Sequence, residues 1–436
     1  MQPDIFQALN SSLILIPQHF GSIIYIHHTS RYLAFDIEST NLLINLKSRS
    51  LHEILHEVQD SQDRIQISNF FEHFNTHDFF SIDQKFVGTV LDVVTPPDHL
   101  VGPLTLHLEV TDSCNLKCKH CFAGKIPRNE QALNLDELDV LFASMKNMGT
   151  FRLGLTGGEP LLRDDLFEIV DQAIEHGLSP CLTTNGLLIT DDIACELGKR
   201  KFAWLNVSLE GACPQTHDYI RGRGTFSKVL DKLVILSKHT RFSLAFTVIR
   251  SNLHELKACV ELAYRVGAEA AVFRPLYPVG TAQQHPELMP TFSEYMRALN
   301  ELSNLKDINN GSFQFCNIHP WGPQTRLESQ SLVYENFGCG AGNTVCSVSV
   351  SGDVSPCSFL SPKYIAGNIR KNSLEDIWHN SSVFKNIRSL IGNQICLNCR
   401  NYESCGGGCR ARALILNKSI NAPDPWCTSK YNKEYL

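Results

Sequence analysis

The sequence predicts an α/β protein: a parallel sheet, open or curled into a partial barrel, set between a small α+β unit and a cysteine-rich end. Three observations predict this. Six strand-like stretches alternate with helical ones between residues 104 and 275, a pattern that builds parallel sheets covered by helices. A Pro-rich, polar joint, "TPPDHLVGP" at 95–103, separates that run from what precedes it. The 16 cysteines are two-centred, with three at 114–121, eight at 339–427 and five between.

At 436 residues the chain is long enough for roughly two to four domains of about 100–200 residues each. Acidic residues outnumber basic ones 45 to 39, so no general attraction to nucleic acid or to an anionic membrane is expected. The opening "MQPDIFQALN" has no basic segment before an apolar one. No later stretch approaches the roughly 18 unbroken apolar residues of a membrane span. A cytoplasmic protein is therefore expected, with neither membrane nor nucleic acid as partner. In a reducing compartment clustered cysteines point to metal, whereas a disulfide framework suits short secreted domains.

Residues 1–95 read as three strands, "SLILIP", "SIIYIHH" and "YLAFDI", then helices beginning near Ser39, Ser50 and Arg64. Ser50 and Glu53 have the spacing of a capping box, in which each residue satisfies a backbone donor at the helix start. Such a unit can be a winged helix for DNA. Residues 1–100, however, carry five basic against twelve acidic residues, which argues strongly against DNA.

The strands of the second unit, 96–290, are "LTLHLEV", "FRLGLT", "LSPCLTT", "WLNVSL", "FSLAFTVI" and "EAAVFRP". In such folds chemistry gathers at the carboxyl ends of the strands. The first strand alternates Leu104, Leu106, Leu108 and Val110 with Thr105, His107 and Glu109, whereas a strand buried on both faces is usually apolar throughout. Its polar face either lines a cavity or meets solvent. Residues 291–333 read as a helix and an irregular linker. Residues 334–436 have few long apolar runs, so they need cross-links or metals to stay folded.

"VTDSCNLKCKHCFAG" follows the first of these strands and sets Cys114, Cys118 and Cys121 in a Cys-x3-Cys-x2-Cys loop. Thiolates are soft ligands suited to iron–sulfur clusters and zinc. A structural zinc normally takes a fourth ligand, and His120, adjacent to Cys121, is badly placed to share the ion. A cluster with one open iron fits better. The loop, in this place, resembles that of the radical S-adenosylmethionine enzymes, which build a partial (β/α)6 barrel. The resemblance implies a [4Fe-4S] cluster whose open iron takes the amino and carboxylate groups of S-adenosylmethionine. It also implies reductive cleavage to methionine and a 5′-deoxyadenosyl radical that abstracts hydrogen from a C–H bond.

The other strand ends extend the resemblance. In "LTGGEP", Gly157 and Gly158 let backbone approach a ligand closely and Glu159 can accept from an ammonium group; a plain turn is the alternative. By resemblance this stretch holds the methionine amino group, Asn185 of "TTNG" and Ser208 of "VSLEG" face the cofactor, and Arg221 of "HDYIRGRGTF" is directed at its carboxylate. Leu276, after the sixth strand, resembles an adenine-contacting position. His120 departs from the family, where an aromatic residue is common. An imidazole is flat enough to pack near adenine, and it titrates near neutral pH.

The second cysteine centre runs Cys339-x12-Gly352-x4-Cys357, then Cys396-x2-Cys399-x5-Cys405-x3-Cys409 and Cys427. A pair of zinc ribbons is the competing reading of its Cys-x2-Cys pair. The whole spacing resembles the SPASM extension, which implies two further [4Fe-4S] clusters and so three in all. With Cys346 added there are eight ligands: by resemblance Cys339, Cys346, Cys357 and Cys409 hold one cluster, and Cys396, Cys399, Cys405 and Cys427 the other. Closed clusters of this kind suit electron transfer or a structural staple. Cys181, Cys195, Cys213, Cys259 and Cys316 read mostly as small buried hydrophobes.

The SPASM resemblance implies a peptide or protein substrate. Residues 1–95 resemble the peptide-recognition element of enzymes that modify ribosomally made peptides, in which a leader adds as a strand to the small sheet. The expected activity is hydrogen abstraction from the core of a precursor peptide to cross-link, oxidise or excise part of it, served by an electron donor, with a second, accessory protein as a further candidate partner. The alternatives are a maturase of folded proteins, for which Ser358 stands where sulfatase-maturing relatives commonly place Asp, and a non-enzymatic, metal-stapled binding protein. No catalytic acid or base is legible.

Overall fold

The computed structural model describes residues 13–75, 79–124, 131–303, 314–317, 339–389, 394–399, 405 and 407–427. Much of the predicted linker, 304–313 and 318–333, lies outside them, as do 334–338, the side chain of Cys316 and residues 1–12.

The amino-terminal unit opens with three antiparallel strands, β1 (Leu13–Gln18), β2 (Gly21–Ile26) and β3 (Arg31–Asp36). Helices α1 (Ile37–Ser48), α2 (Leu51–Glu57) and α3 (Ser61–Asn75) follow. The Ser50–Glu53 capping box forms at the start of α2, with the Ser50 amide donating to Glu53 over 2.6 Å and the Glu53 amide to Ser50 Oγ over 3.3 Å. A short strand, β4 (Thr89–Val90), returns parallel to β1, giving the order β3-β2-β1-β4. This pairing went unseen in the sequence because two residues carry no periodicity.

Alternation along these strands decides what the sheet packs against. Leu13, Leu15, Ile24 and Phe35 meet Leu43, Leu46 and Phe71 of the helices. On the other face Ile16, Ile23, Tyr25 and Ala34 join the core of the large domain. Tyr25 stacks on Phe151 at 4.9 Å between centroids and donates to Ser179 Oγ over 2.5 Å.

The large sheet holds the six expected strands in sequence order and all parallel: β5 (Thr105–Thr111), β6 (Arg152–Gly157), β7 (Ser179–Thr184), β8 (Trp204–Ser208), β9 (Ser243–Val248) and β10 (Ala270–Pro275). Helices between them include α4 (Leu135–Asn147), α5 (Leu166–Glu175), α6 (Asp191–Gly198), α7 (Pro214–Arg221), α8 (Thr225–Leu236) and α9 (Leu256–Arg265). After α10 (Phe292–Ser303) the sheet grows at both edges. β11 (Gln314–Asn317) adds parallel to β10; β12 (Val345–Val348) adds parallel to β5 and continues into β13 (Asp353–Ser355) and β14 (Gly367–Asn368). The sheet thus runs across the predicted boundary at 333/334. Among the described residues no helix is long and apolar enough to cross a membrane.

One face of the six central strands is apolar: Leu106, Leu108, Leu153, Leu155, Leu182, Leu205, Val207, Leu244, Phe246, Ala271 and Phe273 sit in the core with the helices. Strand alternation sends His107, Glu109, Thr156, Thr183, Asn206, Ser208, Thr247 and Arg274 to the other face. That polar face is the barrel interior. Gly154 leaves room there for His107, since a Cβ on it would lie 2.7 Å from the imidazole Nδ1. Burial, aided by the Arg274 charge, holds His107 down at about 4 and hence neutral.

Candidate active site and cluster-binding cysteines

The cysteine loop leaves the end of β5 and is fastened on three sides by backbone. The amides of Gly158 and Glu159 donate to the carbonyls of Thr111 and Ser113 over 2.7 and 2.8 Å. The Lys119 amide donates to the Ile220 carbonyl of α7 over 3.0 Å, and the Thr281 amide to the Cys121 carbonyl over 2.8 Å. Glycines permit these approaches. A Cβ on Gly158 would stand 1.9 Å from the Ser113 carbonyl oxygen, and one on Gly157, at φ +127°, 2.2 Å from that of Thr111. The sequence suggested these glycines admit a ligand; the partner they admit in the structure is the cysteine loop itself. Gly280, at φ +59°, does the same on the far side, 2.2 Å from the Phe122 carbonyl oxygen. Cys114 is exposed and Cys118 and Cys121 half-buried. Burial first, then the nearby charges of Glu210, Cys121 and Cys114, push the Cys118 thiol up to about 11 despite Arg221.

Glu159 is buried at the end of β6 and accepts from Thr184 Oγ1, the Asn185 amide and the Leu161 amide over 2.5, 2.7 and 3.2 Å. Burial raises its carboxyl, and these bonds oppose the rise. It therefore ties the end of β6 to that of β7. Asn185 Nδ2 donates to Asn115 Oδ1 over 2.7 Å, inside the cysteine loop. Ser208 is buried at the end of β8, and Leu276 packs with Ile220, Ile249 and Leu288 beyond β10.

Arg221 and His120 converge on Glu210, a residue within the quoted "VSLEG" to which the sequence reading gave no role. Arg221 Nη2 lies 2.6 Å and His120 Nε2 3.0 Å from Glu210 Oε1, and the Thr247 amide donates to Oε2 over 3.0 Å. Burial works to raise the Glu210 carboxyl, but the charges and hydrogen bonds of His120 and Arg221 outweigh it and hold it at about 2. The opposite ring nitrogen, His120 Nδ1, is buried with no hydrogen-bond partner among the described residues. Asn252, fully buried, donates to the Glu210 and Thr247 carbonyls over 3.0 and 2.7 Å and so fixes this corner. An acidic residue at a strand end, followed by Gly, was the available signal for Glu210.

The carboxyl-terminal cysteines gather in sets. Cys339 and Cys409 lie close enough to Cys357 for their charges to oppose its ionisation, adding to burial. Burial, with Cys339 beside it, pushes Cys409 up to about 12. Cys405 is raised by burial, with Cys427 and Cys396 adding to the rise, and the Cys399 amide bonds the Cys396 carbonyl over 3.0 Å. Cys346 stands elsewhere, in the core under β12. Asp424 joins the sets: its Oδ2 accepts from the Cys409 amide over 2.6 Å, its carbonyl from the Cys427 amide over 2.8 Å, and its carboxylate pairs at 2.7 Å with Arg412, both side chains fully buried.

This donor chemistry fits iron–sulfur clusters. Single tetrahedral zinc draws its sulfurs to about 3.8 Å of one another, given Zn–S bonds of about 2.3 Å. Among the described residues no three His, Cys, Asp or Glu side chains converge tightly enough to hold one ion. Separate sets of thiols within charge–charge reach suit the wider footprint of a multi-iron cluster.

A parallel half-barrel with an unfinished three-thiol loop at its carboxyl edge defines an enzyme that holds a cluster for a cofactor. The chain belongs to the radical S-adenosylmethionine superfamily. The Radical SAM superfamily model matches residues 108–263, and that of SPASM, an iron–sulfur cluster-binding domain, matches 339–405. The mycofactocin maturase MftC of Mycolicibacterium smegmatis is 30% identical over 342 residues, 77% of this chain and 86% of that one. The AdoMet-dependent heme synthase of Methanosarcina barkeri is 32% identical over 352 residues, 76% of this chain and 98% of that one. Streptococcus suis SuiB bound to its precursor peptide SuiA shares the fold over 95% of this chain and 98% of that one, at TM-score 0.73 and 17% identity. S-adenosylmethionine and [4Fe-4S] chemistry therefore belong to this enzyme.

Proposed function

We propose that the protein modifies a ribosomally made precursor peptide, with the leader held by residues 1–95 and the core admitted to the barrel interior. The observation that carries this is the free edge of the amino-terminal sheet. β3 pairs with β2 on one side and, among the described residues, has no strand on the other. An extended peptide can add there through backbone hydrogen bonds. The sheet is welded to the barrel through Tyr25, Ile23 and Phe151, at the amino ends of β6 and β7, so a leader bound on it lies across the barrel from the cysteine loop and the core reaches the site through the length of chain that follows.

When bound, S-adenosylmethionine and its cluster supply a 5′-deoxyadenosyl radical that takes hydrogen from a C–H bond of the substrate. Cys114, Cys118 and Cys121 hold that cluster; Glu159, Asn185, Ser208 and the Gly157–Gly158 turn shape the pocket for the methionine end, and His120 and Leu276 flank the adenine. Arg221 is anchored by Glu210, which keeps its charge in place next to Cys118. The polar interior face, with His107, Glu109 and Arg274, receives the peptide core. Three clusters in all, fed by an external electron donor and assisted by an accessory protein, complete the reading.

Hydrogen exchange of the amides at 31–36, with and without the precursor peptide encoded beside this enzyme, tests the docking. Slowed exchange together with a mass change in the co-expressed peptide is expected; unchanged exchange overturns the docking. A second reading, chemistry on a heme precursor, is favoured by the 32% identity to the heme synthase across 98% of its length. Turnover of a carboxylated tetrapyrrole, with the peptide untouched, selects it.

A further inference from the structure

Eight cysteines in the last hundred residues suggest two complete sets of four. The strand pairing of β12 separates one of the eight from the rest. In a parallel pair, residues side by side face the same way. Cys346 pairs with Leu106 and Val348 with Leu108, while Ser347 pairs with His107. Leu106 and Leu108 point into the core between sheet and helices, and Cys346 and Val348 lie in that same core, with Trp378 and Phe384. Cys346 is fully buried. The charge nearest it is that of Arg388, whose Nε donates to the Gly342 carbonyl over 2.8 Å and whose guanidinium lies 4.4 Å from the Trp378 ring centroid.

Cys339, Cys357 and Cys409 occupy a different cluster of side chains. They pack with Phe122, Tyr277, Val279 and Phe359, next to the third cysteine of the barrel loop and to the residues following β10. Phe122 meets Phe359 edge-on at 5.6 Å, and Tyr277 stacks on Phe359 at 4.3 Å. This trio therefore borders the barrel mouth, whereas Cys346 is sealed behind the sheet. A strand cannot turn one residue to its other face without a register shift that would expose Val348 and bury Ser347 in the core.

Resting on the reading that the SPASM segment carries two clusters, we infer that the first is held, among the described residues, by three cysteine thiolates, Cys339, Cys357 and Cys409, with Cys346 a core residue, leaving one iron beside the barrel mouth for an exchangeable ligand. The cluster resembles the barrel cluster in being unfinished, and its vacancy lies where a donor atom of the substrate can reach.

Iron content and electron paramagnetic resonance of the reconstituted full chain test this. With three [4Fe-4S] clusters the wild type holds about twelve irons per chain. Cys346→Val, which keeps apolar volume in a strand, and Cys346→Ala as a second variant should keep about twelve, while Cys357→Ala should fall to about eight. Loss of about four irons from both Cys346 variants overturns the inference and leaves the two-cluster reading standing; a wild type with about four irons overturns that reading itself. The vacancy is probed in a Cys114→Ala, Cys118→Ala, Cys121→Ala chain, which lacks the barrel cluster. Carbon-13-labelled cyanide should produce a hyperfine coupling on a reduced auxiliary cluster there, and its absence overturns the vacancy.

Discussion

The barrel loop at 114–121 and the cysteine segment at 396–427 both present thiols, but they are built in opposite ways. The loop is fastened by backbone hydrogen bonds to three elements of a finished domain, and glycines at 157, 158 and 280 make room for it. Among its described residues the segment buries few large side chains, Leu414 and Trp426 among them, and is tied by the buried Arg412–Asp424 pair, the amides that Asp424 accepts and the carbonyls that Arg410 bonds. On these contacts the first region should keep its shape without a cluster. The second should need what it binds, as in small domains whose metal supplies folding energy.

Iron-free protein should show the contrast at its largest. Hydrogen exchange at 396–427 should be fast without clusters and slow with them, while β5 at 105–111 stays protected in both; equal protection of the two regions breaks the comparison. Asp424→Ala removes the carboxylate that pairs with the buried Arg412, and should cost about 3–5 kcal/mol and lose auxiliary iron while the barrel cluster persists. Gly158→Ala should do the converse. Its Cβ collides with the Ser113 carbonyl, so the barrel cluster should be lost and the auxiliary iron kept, as read by iron content and resonance spectra. Smaller again, Glu210→Gln weakens a charged hydrogen-bond set worth about 1.5–3 kcal/mol and should slow S-adenosylmethionine cleavage roughly tenfold or more without lowering iron content. The scaffold itself responds to pH. His107 and His217 are each held at about 4 by burial, below the ordinary value of about 6.5. The unfolded chain therefore takes protons first as pH falls, so stability is full above about 6.5 and declines toward 4, measurable by denaturant titration.

The parallel barrel was legible because six strands of ordinary length alternate with amphipathic helices, and the three-cysteine loop because its spacing is short and sits at a strand end. Glu210 escaped because its meaning depends on Arg221 and His120, eleven and ninety residues away, brought together only by the strand ends. Cys346 is assigned to the core by inference, for the related reason that cysteine spacing records which thiols are present and strand parity records which way they face. The extra edge strands β11 and β12 are four residues each, too short for a period to show.

The account's central claim is that the loop at 114–121 holds a cluster left open for S-adenosylmethionine. The most direct measurement is 5′-deoxyadenosine formed by the reconstituted, reduced enzyme, comparing wild type with Cys118→Ala. The account predicts product from the wild type and none from the variant, whose auxiliary iron remains in place. Continued formation of 5′-deoxyadenosine by Cys118→Ala would contradict it.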